Sequence, residues 1–362
     1  MAAARPNRMH RNHRAIAPHR SFLLEDFREN RYPNLQLNEI VAHVVEFAKD
    51  HDGSKFIQRK MDEATDTRKE ALFREMQPHL LMLMKDTFGN FVVQKFFDIG
   101  TQPQRQELLR LIQTDFMALS MHKYGCRVVQ TAIQKSTLPE QIFIMQFASP
   151  SDFVQLARNA NGNHVIQKCF HYVPQMLQDY LFEQLKFQIF DLCLDLYGCR
   201  VIQCVLIKGT SNHRRDIFHE LVKNPLQLMR LIQDRYGNYV IQHAVQYCAP
   251  DEKARLVEFI VTHVVLLAQQ KYSSNVVEKC LANASQTMQD HAMFIICNRQ
   301  SEAVKALCID AYANYVIQKL IECVSPLLVA NLYERVQPHF KEMQRHVCGR
   351  KIIEMLQQNG YP

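Results

Sequence analysis

One six-residue pattern returns eight times along the chain, and its spacing constrains the fold more than any other feature. It reads: a small residue, a short polar residue, a flat or cationic side chain, two β-branched or aromatic residues, then Gln or Glu. Copies lie at 53–58, 89–94, 125–130, 162–167, 198–203, 237–242, 273–278 and 313–318, with a degraded ninth at 349–354. Successive copies start 36, 36, 37, 36, 39, 36, 40 and 36 residues apart. A fixed period of this length marks a solenoid, in which each unit buries its apolar face against its neighbours. The 362 residues could hold two ordinary domains, but a solenoid grows as one continuous body.

Within each copy the apolar residues recur with helical spacing. Val92, Val93, Phe96 and Phe97 share one face, the i, i+3, i+4 stripe of a buried helix. Segments such as 70–76 and 80–84 are also helical in pattern, and few stretches alternate as strands do. The expected architecture is all-α: an α-solenoid of eight three-helix repeats, two helices long and one short, with capping half-repeats at its ends. Residues 21–27 predict a short helical cap over the first repeat, and 325–362 a C-terminal cap. The 39- and 40-residue steps predict insertions near 208–216 and 282–303, in surface loops where a protein partner could dock.

Charge and cysteine usage bound the function class. The net charge of +7 is concentrated in residues 1–20, where Arg5, Arg8, Arg11, Arg14 and Arg20 meet no acid. This segment reads as a disordered basic arm: a solvated terminus, a phosphate-contacting arm or a localisation signal. Residues 21–362 form the repeat domain and are close to neutral. No apolar run reaches the roughly 18 residues of a membrane-spanning helix, and the N-terminus lacks a signal-peptide core. The 11 cysteines are odd in number and never spaced Cys-x-x-Cys, so neither disulfides nor zinc is expected. A reducing cytosol or nucleus fits them as small core residues. No metal, cofactor or membrane partner is expected.

The polar positions of the pattern carry the functional signal. Asn238 and Gln242 are four apart and share one helix face, with Tyr239 rotated about 100° to the side. The same pairs recur as Ser54/Gln58, Asn90/Gln94, Cys126/Gln130, Asn163/Gln167, Cys199/Gln203, Ser274/Glu278 and Asn314/Gln318. Beside them stand Lys55, Phe91, Arg127, His164, Arg200, Tyr239, Asn275 and Tyr315, all planar but Lys55. Stacking such helices predicts an exposed ribbon of three side chains per rung. Rings and guanidinium planes there could alternate with stacked bases, while the polar pair faces each base edge. An Asn with a Gln suits uracil. A Gln beside a small Cys or Ser suits adenine. Glu278 only accepts hydrogen bonds, which suits the adjacent N–H donors of guanine. Helix capping alone accounts for the small residue and for some Asn and Ser. It accounts for neither Cys126 and Cys199 nor the planar neighbours nor the recurring Gln. An enzyme would need Cys199 or Cys126 with a histidine as its nucleophile, yet both cysteines recur in register with Asn and Ser. An armadillo- or HEAT-like peptide binder would lack the regular base-edge pairs.

These motifs, over residues 21–362, resemble the RNA-binding domain of the Pumilio/FBF (PUF) family. The resemblance implies a right-handed curved solenoid that binds single-stranded RNA antiparallel, one base per repeat, a property already known of the family. Carried over, Asn314/Gln318 imply U, Ser274/Glu278 G, Asn238/Gln242 U and Cys199/Gln203 A. Asn163/Gln167 then imply U, Cys126/Gln130 A, Asn90/Gln94 U and Ser54/Gln58 A. The implied site is 5′-UGUAUAUA-3′, of the kind Pumilio-type members bind in messenger 3′ untranslated regions. Lys55 departs from the family's planar Arg and Phe91 lacks a hydroxyl, so looser reading is expected toward the 3′ end. The resemblance also implies a non-catalytic, cytoplasmic, monomeric and mainly repressive regulator of translation and message stability. Deadenylase-complex and Nanos-type proteins are the implied protein partners, engaging the convex face and the link between repeats seven and eight.

Overall fold

The computed structural model describes residues 20–146 and 148–362. Every regular element among them is helical, as the periodicity predicts. The second repeat shows how the sequence builds the unit. A short helix, Leu80–Met84, is followed by the signature helix Gly89–Ile99 and a third helix, Gln102–Thr114. Val92, Val93, Phe96 and Phe97 are all buried, each contributing about 1.5–3 kcal/mol through burial. Thr101 opens the third helix with a capping box, its N–H donating to Gln104 Oε1 at 3.0 Å. Gln104 Nε2 in turn donates to Glu70 Oε2 of the preceding repeat at 2.8 Å. One buried side chain therefore both starts a helix and ties it to its neighbour.

The chain divides into two compact units, Met1–Asp115 with Lys123–Lys135, and Phe116–His122 with Ser136–Pro362. In the first, the signature helices His51–Asp62, Gly89–Ile99 and Gly125–Lys135 pack each against the next. In the second, Gly162–Tyr172, Gly198–Lys208, Gly237–Tyr247, Ser273–Asn283 and Ala313–Cys323 do the same. Helix Val347–Gln358, from the degraded ninth copy, packs on Ala313–Cys323 at the end of the row.

The predicted N-terminal cap is the helix Phe22–Arg28, with the Ser21 side chain accepting from Leu24 N–H. Leu24 is buried, and the Phe27 ring meets Phe47 and Phe56 at 5.4 and 5.1 Å. The basic arm falls outside the described residues except for Arg20, which is exposed and donates to Glu25 Oε1.

The first insertion does not lie in a loop, and the second does so only in part. Between Gly198–Lys208 and Ser211–Val222 the link is only two residues, so no docking loop exists at 208–216. The added residues lengthen the next repeat's first helix, Pro225–Gln233, to nine residues, where Ile189–Cys193 has five. Ser301–Ile309 is likewise nine residues long, after a link at 298–300. The cause is local: Asn224 Oδ1 accepts from Leu226 N–H at 2.8 Å and Pro225 fills the first turn. A capped start with proline at the first position turns added residues into helix.

All 11 cysteines are free and nine are buried. Burial pushes the Cys169, Cys280 and Cys308 thiols up to about 12, so they behave as core residues. Among the described residues no helix is long and apolar enough to cross a membrane. No group of three or more His, Cys, Asp or Glu side chains there is placed to hold a metal.

Candidate nucleic-acid interface

Each rung is built from the turn that starts its signature helix. Asp234 Oδ1 accepts from Tyr236 N–H at 2.7 Å and Gly237 N–H at 2.8 Å, satisfying donors the helix leaves open. Asp50, Asp86, Asp195 and Asp310 do the same in their repeats, and Asn159 substitutes in the fourth. In these six repeats the N-cap work therefore belongs to a residue three positions before the small one. Sequence reasoning missed it, although an Asp or Asn at that offset was readable. The small residue has a separate cause. A Cβ on Gly237 would stand 2.7 Å from the Leu231 carbonyl oxygen, so the first helix can only close on a minimal side chain.

With capping done elsewhere, the first residue of each polar pair turns inward. Asn238 is only 2% exposed, and its Nδ2 donates to the Asp234 carbonyl at 2.8 Å. Asn90, Asn163 and Asn314 repeat this bond at 2.8 Å. The Ser54 and Ser274 hydroxyls and the Cys126 and Cys199 thiols point to the carbonyl three residues back. The expected ribbon of three exposed side chains per rung is thus corrected. The first is buried against its own turn, the Gln or Glu is partly exposed, and the plate is outermost.

In every Asn rung the pair is closed on itself. Gln94, Gln167, Gln242 and Gln318 donate Nε2 to the Asn Oδ1 one turn back, at 2.7, 2.9, 3.0 and 2.9 Å. Gln94 is held at its other end too, since Thr131 Oγ1 donates to Gln94 Oε1 at 2.7 Å. The Cys126 rung differs. A thiol is a weak acceptor, and Gln130 Nε2 is buried with no hydrogen-bond partner among the described residues. In the first repeat Gln58 Nε2 uses the Ser54 carbonyl at 3.1 Å. Gln203 borders an open cavity of about 290 Å³ shared with Arg200, His171, Cys204 and His243. The Glu278 carboxylate makes no hydrogen bond or ion pair among the described residues. Burial raises its carboxyl above the usual range, and the charge of Lys319 opposes that.

The neighbouring plates are outermost as expected. Tyr239 is 52% exposed, with Phe91 and Tyr315 alike, and Lys55, Arg127 and Arg200 are exposed. His164 is half-buried. Asn275 is exposed, but its Nδ2 donates to the Lys271 carbonyl at 2.9 Å, which lays its amide along its own helix. Another recurrence went unread in the sequence: the residue after each Gln or Glu is Arg59, Lys95, Lys168, His243, Lys279 or Lys319 in six of eight repeats. A row of five cations and one histidine beside flat side chains and amides suits a polyanion carrying bases.

Helical repeats presenting such rungs define a nucleic-acid-binding repeat protein, and comparison with known sequences specifies which. The chain matches the Pumilio-family RNA binding repeat eight times, at 43–76, 79–112, 115–146, 152–186, 188–222, 227–261, 263–293 and 304–336. It belongs to the PUF family of RNA-binding repeat proteins, which is non-catalytic. It is 29% identical over 219 residues to a Pumilio domain-containing protein of Schizosaccharomyces pombe, covering 60% of this chain and 31% of that protein. Pumilio homolog 12 of Arabidopsis thaliana is 29% identical over 60% of this chain and 36% of its own length. The aligned part thus spans about a third of these curated relatives. Among solved structures, PUF-8 in complex with PBE-RNA superposes with a TM-score of 0.83 at 29% identity, over 94% of this chain and all of that one. The Puf3 RNA-binding domain bound to a Cox17 RNA 3′ UTR recognition sequence gives 0.78 at 31% identity, over 93% of this chain and 100% of that one.

Proposed function

We propose that the chain binds single-stranded RNA with one base per repeat, the last repeat at the 5′ end, and that its preferred element is 5′-UGUAUAUA-3′. The observation that carries this reading is the hydrogen-bonding state of the Asn/Gln, Cys126/Gln130 and Ser274/Glu278 rungs. The Asn/Gln rungs present an amide pair whose mutual bond a uracil edge can replace. In the Cys126/Gln130 rung the buried Gln130 N–H meets nothing better than the weakly accepting Cys126 thiol among the described residues, and adenine N1 would satisfy it. The Ser274/Glu278 rung offers a carboxylate with no partner of its own, suited to guanine's two adjacent N–H groups. Stacking contributes about 1–3 kcal/mol per base and edge pairing discriminates by a similar amount. Ordering a flexible strand offsets much of the sum, so nanomolar affinity is expected.

The cellular reading follows from family membership and from what its relatives bind. PUF-8 holds PBE-RNA and Puf3 a 3′ UTR sequence. The chain accordingly acts, in this proposal, as a cytoplasmic monomer on messenger 3′ untranslated regions. There it represses translation or shortens message life with deadenylase-complex and Nanos-type partners. The test is a titration of the full chain with UGUAUAUA and with ACAAUAUA. Preference for the first by a hundredfold or more is expected, and equal affinities overturn the reading.

A further inference from the structure

The first repeat carries a feature that the other seven lack. The residue seven positions after the small one is buried and apolar in every later repeat, with Phe96, Val205 and Leu320 among them. In the first repeat it is Lys60. Beside it stands Arg59, directly after the reading residue Gln58. Neither cation has an ion pair among the described residues. Lys60 Nζ lies 3.5 Å from Gln36 Oε1, and Glu63 is the one acid in the lining. Both cations face a cleft of about 380 Å³ between the signature helix His51–Asp62 and the segment that follows the N-terminal cap.

That segment is a built wall. The helix Phe22–Arg28 stops with Asn30 in the left-handed region, at a φ of 58°. Asn30 N–H donates to the Phe27 carbonyl at 3.0 Å and Arg31 N–H to the Asp26 carbonyl at 2.9 Å, the paired bonds of a Schellman ending. A second turn follows, closed by Leu35 N–H on the Tyr32 carbonyl at 3.2 Å. Pro33 sits at its second position, where the fixed φ favours the turn, and Leu35 is buried as an anchor. Tyr32, at 46% exposure, is thereby held as a flat wall of the cleft opposite the two cations.

We infer that this cleft is a ninth subsite, taking the nucleotide immediately 3′ of the eight-base element, with its base against Tyr32 and its phosphate on Arg59 and Lys60. The inference rests on the antiparallel reading proposed above. With the 3′ base on Ser54 and Gln58, the strand leaves the first repeat on the side of the N-terminal cap, where the cleft opens. The volume is that of a small-molecule site. An aromatic face with unpaired cations is the chemistry of sequence-tolerant single-strand binding, and no amide pair stands there to read an edge. The subsite therefore takes any base.

The test uses the full chain and four RNAs: UGUAUAUA, the same octamer with a 3′ phosphate, and nonamers ending in adenosine or in an abasic nucleotide. The adenosine nonamer should bind about tenfold tighter than the octamer, the 3′-phosphate octamer and the abasic nonamer taking intermediate places. Tyr32→Ala should remove the gain due to the base. Arg59→Gln with Lys60→Gln should remove the gain due to the phosphate and make binding less salt-dependent. Tyr32→Ala and Lys60→Gln should keep wild-type affinity for the plain octamer, which also reports that they fold, and each variant carrying Arg59→Gln is compared with its own octamer affinity. Equal affinity for octamer and nonamer overturns this inference alone, as does a gain that survives when Tyr32→Ala, Arg59→Gln and Lys60→Gln are combined. Failure of the octamer to bind overturns the one-base-per-repeat reading and this inference with it.

Discussion

Gln242 donates to Asn238 Oδ1 at 3.0 Å while Asn238 donates to the Asp234 carbonyl at 2.8 Å, so the proposed reading pair is also a piece of the helix start. Asn238→Ala should therefore cost the fold as well as the RNA. Loss of the buried bond to the turn carbonyl predicts about 1–3 kcal/mol of destabilisation in urea unfolding. A stability equal to wild type would mean that Asn238 serves the ligand alone.

The two kinds of glutamine should respond in opposite ways. Gln94 is bonded at both ends, to Asn90 and to Thr131, and Gln94→Met should destabilise the chain by about 1–3 kcal/mol. Gln130 carries a buried N–H that meets only the weakly accepting Cys126 thiol among the described residues, so Gln130→Met should leave stability unchanged or raise it. Both changes should weaken RNA binding at their own base. Thermal melts without RNA separate the two effects.

Glu278 sets the expected choice of guanine. Ser274→Asn with Glu278→Gln recreates the pair of the neighbouring rungs and should switch the second base from G to U. Roughly 1–3 kcal/mol of discrimination should move with it. Competition between UGUAUAUA and UUUAUAUA measures the switch, and an unchanged preference for G would remove Glu278 from the reading role.

Guanine preference should also depend on pH. Burial raises the Glu278 carboxyl, against the pull of Lys319, so the folded chain takes up this proton at a higher pH than the unfolded chain does. Protonation stops the group from accepting two N–H bonds, and the G-over-A ratio should fall as the pH is lowered through the raised pKa. Stability runs the other way. The unfavourable burial of this carboxylate is absent at low pH, sets in as the pH rises past the unfolded-state pKa and is complete above the raised one. Glu278→Gln should flatten both trends.

Much of this architecture is legible in the residues because a period repeated eight times averages out local ambiguity. The signature helices, their buried Val, Ile and Phe stripes and the outward plates all follow from spacing. Burial of the first member of each pair does not follow. It depends on Asp86, Asp234 and their equivalents taking over the helix cap, which frees Asn90 and Asn238 to bond the turn carbonyls. Hydropathy is blind to that exchange, since Asn counts as polar whether or not water reaches it. The first insertion escapes the spacing for a related reason. Step lengths report how many residues were added, whereas Asn224 and Pro225 decide that they enter a helix.

Those lengthened helices bear on how freely repeats can be exchanged. From the fourth repeat onward the first helices run eight, five, nine, five and nine residues, so long and short alternate. At 1.5 Å per residue a nine-residue helix is about 6 Å longer than a five-residue one, and each repeat meets neighbours of the other kind. The natural module in this part of the chain is consequently two repeats, about 75 residues. Grafting a single repeat would set long against long or short against short, while a pair would carry its own matched seam.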